Sequence, residues 1–85
     1  MSPGRVIPVD CRCGFQLFLY FKAGRGRLIK CYLDEIRHDH AGVAGLPLEA
    51  QPACPGCGKR LGTIRLIHGR PALKINHGAI RETRI

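Results

Sequence analysis

Cys54-Pro55-Gly56-Cys57-Gly58 is the string on which the reading of this chain turns. Two thiols with two residues between them fall on one tight turn, close enough to bind a single ion. Pro55 restricts the backbone's approach, and Gly58 permits the positive φ that turns backbone N–H groups toward sulfur. Such donors matter because they offset the charge of thiolates. The pattern reads as half of a metal site.

The other half is Cys11-Arg12-Cys13-Gly14, which keeps the Cys-Gly ending but has one residue between its cysteines. Both sulfurs can still reach one ion, through a turn of different shape. The expected ligands are therefore Cys11, Cys13, Cys54 and Cys57, around one structural Zn2+, because four protein thiolates leave no position for water. The second string resembles the knuckle of the zinc-ribbon superfamily, Cys-Pro-x-Cys-Gly, found in many transcription and translation proteins. The resemblance covers the two cysteine clusters and the strands beside them. Rubredoxin-like proteins hold iron with four thiolates, but they use two Cys-x-x-Cys-Gly knuckles, and the Cys11/Cys13 spacing departs from that.

The fifth cysteine, Cys31, alternates with Ile29 and Leu33, which suits a free thiol packed as a small hydrophobe. The alternative is that it replaces Cys11 or Cys13 as ligand, or marks an interface. His38, Asp39 and His40 could offer two imidazoles to a second ion, or could form a solvated loop.

Eighty-five residues make one domain. A chain of that size buries only about 60 to 65% of the surface its unfolded form exposes, and with no Trp, two Tyr and three Phe it needs a staple. Met1 to Arg5 lacks a charged segment leading into an apolar stretch of about 7 to 15 residues, and no run approaches the roughly 18 that a membrane span requires. The expected setting is cytoplasmic and reducing, with no membrane partner, where paired cysteines are more often metal ligands than disulfides.

The rest of the chain reads as short strands. Arg5 to Asp10 carries β-branched residues, and Pro8 confines it to a sheet edge. Phe15 to Lys22 alternates, with Phe15, Leu17, Leu19 and Phe21 on one face and Gln16, Phe18, Tyr20 and Lys22 on the other. Ala23 to Gly26 supplies a reversal, and Arg27 to Arg37 resumes alternation, so residues 15–37 are expected to form a hairpin inserted between knuckles 11–14 and 54–58. Residues 38–53 lose periodicity and read as a loop. Leu61 to Ile67, Ala72 to Asn76 and Ala79 to Arg84 read as three further strands, separated by turns at His68 to Pro71 and at His77-Gly78. No segment sustains a 3.6-residue period. The expected fold class is all-β, a zinc ribbon of short antiparallel strands with little or no helix, in a single domain over residues 1–85.

Fourteen Lys and Arg against six Asp and Glu give a formal net charge of +8. Four thiolates around a dication carry −2, which leaves about +6 and favours polyanionic partners. Candidate nucleic-acid contacts are Arg25 and Arg27 beside the glycine-rich reversal, Lys59, Arg60 and Arg65 after the second knuckle, then Arg70 and Lys74, with Arg81 and Arg84 closing the chain. Phe18 and Tyr20 either close a second small core or offer faces to unpaired bases. The other reading is a protein adaptor or small subunit of an assembly, including a homo-oligomer, joined through an edge strand or an apolar sheet face. No Ser-His-Asp order, phosphate loop or open metal site points to an enzyme.

Overall fold

The computed structural model describes residues 4–23 and 28–81. Arg25, Arg27 and Arg84 lie outside them, as does the centre of the expected 23–26 reversal. The chain is all-β, with strands β1 (Gly4–Asp10), β2 (Gln16–Ala23), β3 (Lys30–Tyr32), β4 (Ile36–Asp39), β5 (Gly62–Ile67) and β6 (Arg70–Ile75). Among the described residues the only helical element is one 3-10 turn, Leu33–Glu35. No helix there is long and apolar enough to cross a membrane. The strands form two antiparallel three-stranded sheets, ordered β1-β2-β4 and β3-β6-β5. As Pro8 requires, β1 lies at an edge of the first.

Within residues 15–37 the pairing differs from the expected single hairpin. The antiparallel partner of β2 is β4, with Phe18 opposite Asp39 and Tyr20 opposite Ile36. The intervening β3 crosses to the second sheet, where Cys31 lies opposite Leu73. A lone hairpin would leave its apolar face uncovered; sending β3 to the other layer lets Cys31 close the core from the far side. Asp34 and Glu35 lie on the 3-10 turn that makes this switch.

The faces of β2 also differ from strict alternation. Phe18 and Tyr20 are buried, at 0% and 4% exposure, while Leu19 and Phe21 are half-covered. Val9 pairs with Phe18 and Asp10 with Gln16, so Leu17 is the extra residue of a β-bulge. The bulge lets Leu17 point inward beside Phe18.

In the second sheet, Ile67 pairs with Arg70, which leaves a loop of two residues, His68 and Gly69. Both have positive φ, 54° and 75°, the type I′ geometry whose twist matches that of the strands. Arg70 and Pro71 thus belong to β6 rather than to the turn. Pro71 is tolerated in this central strand because β3 ends at the Tyr32–Ala72 pair, so no neighbour on that side needs its missing N–H. Of the strand expected over 79–84, the described part is one bridge between Ile80 and Cys11.

The core lies between the sheets. Ile7, Val9, Leu17, Phe18 and Tyr20 meet Cys31, Ile64 and Leu73, and Val43 from the 38–53 connection fills the space between them. Phe18 and Tyr20 therefore serve the core and are closed to bases. The Tyr32 N–H donates to the Tyr20 hydroxyl at 2.9 Å, tying the second sheet to the first.

Candidate metal centre

Each pair of cysteines is presented by a backbone turn. In the first, the Gly14 N–H donates to the Cys11 carbonyl at 2.9 Å and the Cys11 N–H to the Phe15 carbonyl at 2.8 Å, closing the β1–β2 hairpin around Arg12 and Cys13. In the second, the Gly58 N–H donates to the Cys54 carbonyl and the Cys54 N–H to the Lys59 carbonyl, both at 2.8 Å. Gly58 has the positive φ, 78°, expected of that position. The Gly56 N–H approaches the Cys54 sulfur at 3.3 Å, the donor that a thiolate needs. Phe15 packs so close to Gly56 that an added Cβ would lie 3.1 Å from it, so the two turns touch through that glycine.

The result is that Cys11, Cys13, Cys54 and Cys57 converge, with all four Sγ atoms within 4.8 Å of one another. Cys11 Sγ lies 3.6 Å from Cys57 Sγ, and Cys13 Sγ 3.7 Å from Cys54 Sγ. A tetrahedron with Zn–S bonds of about 2.3 Å has edges of about 3.8 Å, whereas a disulfide needs about 2.05 Å. The donor set fits zinc. Cys11 and Cys54 are buried and merge into the core, while Cys13 and Cys57 face solvent.

The thiols differ in how readily they ionise. Burial pushes Cys11 up to about 12, and the sulfurs of Cys13, Cys54 and Cys57 push the same way against a backbone N–H at Cys13. Burial is the largest influence on Cys54 and acts to raise it, but the N–H groups of Cys57 and Gly56 together with the sulfurs of Cys11 and Cys13 outweigh it and bring that thiol down to about 7. A dication would supply the compensation that buried Cys11 lacks.

Cys31 stands apart. It is fully buried between Leu73 and the first sheet, and burial pushes its pKa well above the ordinary thiol value, with Lys22 acting weakly in the opposite direction. The His38–His40 segment does not gather a second donor set: the Asp39 carboxylate accepts N–H bonds from Ala41 and Ala44 at 3.2 and 2.7 Å, and both histidines are exposed.

The candidate cations separate into two places. Lys59 and Arg60 are exposed just after the second knuckle. Arg65, Arg70 and Lys74 share the outer face of the second sheet, because Arg65 lies opposite Ala72, Lys74 opposite Thr63, and Arg70 opposite Ile67. Arg70, read from sequence as a free contact, is engaged within the molecule. Its Nη2 lies 2.6 Å from Asp34 Oδ1, and its guanidinium stacks 4.0 Å above the Tyr32 ring. Arg65 makes a looser, solvent-exposed pair with Glu49 at 3.7 Å. Sequence reasoning missed Lys30, which sits on the same face directly opposite Lys74. The signal was present in Lys30-Cys31-Tyr32, since a buried Cys31 forces both neighbours outward.

No protein-family model, curated protein or solved structure matches the chain. Fold and cysteine cluster nevertheless agree. The chain is a small, mostly-β domain whose four-cysteine cluster is consistent with one structural Zn2+ of the zinc-ribbon type. Four thiolates would fill a tetrahedral ion's coordination, so the cluster matches a structural centre rather than an active site.

Proposed function

We propose that this chain is a non-catalytic zinc-ribbon protein in which Cys11, Cys13, Cys54 and Cys57 ligate the ion, and that it binds nucleic acid or a nucleic-acid-processing machine through a basic β surface. The observation that carries the reading is the gathering of Lys30, Arg65, Arg70 and Lys74 on one face of one sheet. The rows across the strands read Lys30, Lys74, Thr63 and Tyr32, Ala72, Arg65, with no acid among them; the acids that reach this face, Asp34 beside Arg70 and Glu49 beside Arg65, come from outside its strands and leave Lys30 and Lys74 without an acidic partner among the described residues. Thiolate ligation needs reduced cysteines, so the reading also carries a reducing, cytoplasmic setting.

The test is binding of the zinc-loaded chain to single-stranded RNA or DNA at low salt, with affinity falling as salt rises. Undetectable or salt-insensitive binding sinks the reading. The adaptor reading rests on the edge strand β1, where Val6 is 49% exposed. One stoichiometric protein partner that survives nuclease treatment in a pull-down would favour it.

A further inference from the structure

Lys30 and Lys74 stand directly opposite each other on β3 and β6, and among the described residues neither has an acidic partner. Like charges in that position repel at about 5 Å between Cβ atoms and destabilise the sheet. Arg5 and Lys22 form a second such pair at the far end of the β1–β2 hairpin. A fold that places two like-charged pairs opposite each other gains when an anion settles between them.

The surroundings indicate which anion. Lys30, Arg65 and Lys74 line an open depression together with Ile29, Leu66 and Ile67. Ile67 shares the face of the cations, and Ile29 and Leu66, 64% and 58% exposed, alternate with Lys30 and Arg65 along the chain and border the depression with apolar surface. Lys30 also lines a second open depression with Lys22, Arg70 and Tyr32, where Glu35 is the one acid among the described residues and lies 3.8 Å from the Arg70 guanidinium. The two depressions share Ile29 and Lys30 and so adjoin at those residues. Duplex nucleic acid presents mainly phosphate to such a surface, whereas a single strand offers phosphate to the cations and unstacked base faces to the apolar side chains.

We infer that this band, Lys22, Lys30, Lys74 and Arg65 with Ile29 and Leu66, binds single-stranded nucleic acid through its phosphodiester backbone, independently of sequence. The inference rests on the nucleic-acid reading above and adds the place, the residues and the strandedness. Arg70 holds Tyr32 in place and does not contact the ligand. Lys59 and Arg60, on the knuckle loop, lie outside the band.

The experiment titrates the full zinc-loaded chain into a labelled oligothymidine and into a duplex of the same length, between 50 and 200 mM salt. Three to four phosphate contacts predict a log–log salt slope of roughly −2 to −3 for the single strand. Lys30→Gln/Lys74→Gln should weaken binding about tenfold or more and reduce the slope by roughly 1.4. Lys59→Gln/Arg60→Gln should change affinity less than about threefold. Because the Lys30–Lys74 repulsion costs stability, Lys74→Glu should raise the melting temperature of the free protein while lowering its affinity, which shows that lost binding is not lost folding. If wild type binds and Lys30→Gln/Lys74→Gln binds equally well, the band is wrong and the general reading stands. Tighter binding to duplex overturns the single-strand assignment. No binding by wild type overturns both.

Discussion

At the scale of single residues, the five cysteines fall into four and one. Ser at position 54 or 57 is expected to abolish metal binding and unfold the domain, whereas Cys31→Ser should retain one zinc per chain and cost about 1 to 3 kcal/mol for a hydroxyl in an apolar pocket. Metal analysis beside thermal melts checks both. Cys31 and Tyr20 also set an alkaline limit. Burial raises the pKa of each, opposed at Tyr20 by the Tyr32 N–H. In the unfolded chain these groups lose protons near 8.5 and 10. Above those values the unfolded state binds fewer protons than the folded one, so stability falls as pH rises, by about 1.4 kcal/mol per unit for each group, and is intact below about pH 8.5. Denaturation of the zinc-loaded protein between pH 7.5 and 10.5 should show a shallower decline for Cys31→Ala than for wild type. The grouping of the four cysteines was legible from spacing because ligand turns are local chemistry. The partners of Arg70 were not, since Asp34 reaches it across 36 positions of chain.

At the scale of elements, the β5–β6 hairpin depends on two residues with opposite demands. His68 holds a positive φ that Asn accepts more readily, so His68→Asn should stabilise the protein by about 0.5 kcal/mol in chemical denaturation, and His68→Val should destabilise it. Gly62 lies against the backbone of β6, where an added Cβ would collide with the Lys74 carbonyl oxygen. Because backbone must shift to admit it, Gly62→Ala is expected to cost about 2 kcal/mol or more, and an unchanged denaturation midpoint would refute this close approach. Strand existence was readable from alternation, but pairing was not. One bulge at Leu17 shifts the faces of β2, and β3 leaves its sequence neighbour to cover the core from the other sheet. Both events answer to the shape of the whole core, which no local pattern contains.

At the scale of the molecule, one ion would join the β1–β2 hairpin to the turn that leads into β5, residues 46 apart in the case of Cys11 and Cys57. A strong chelator is therefore expected to unfold the domain and added zinc to restore it, followed by far-ultraviolet circular dichroism, since structural zinc contributes on the order of 10 kcal/mol in small modules. A chelated protein with an unchanged spectrum and melt would contradict that. The all-β class was legible from the alternation and from the missing 3.6-residue period; the two-layer arrangement was not, because the same strands could have formed one sheet. The link between Tyr20 and Tyr32 has a practical consequence. The chain has two tyrosines and no tryptophan: the Tyr20 hydroxyl sits at the seam where the sheets meet, bonded to the Tyr32 backbone, and the Tyr32 ring lies on the outer face of the second sheet beneath Arg70. Its intrinsic ultraviolet fluorescence is thus a built-in gauge of that seam, sensitive to sheets parting or to a ligand settling beside Tyr32. The thiolate end must be followed at other wavelengths, through the charge-transfer bands of a substituted cobalt ion, and the two signals together would report each end of the molecule separately.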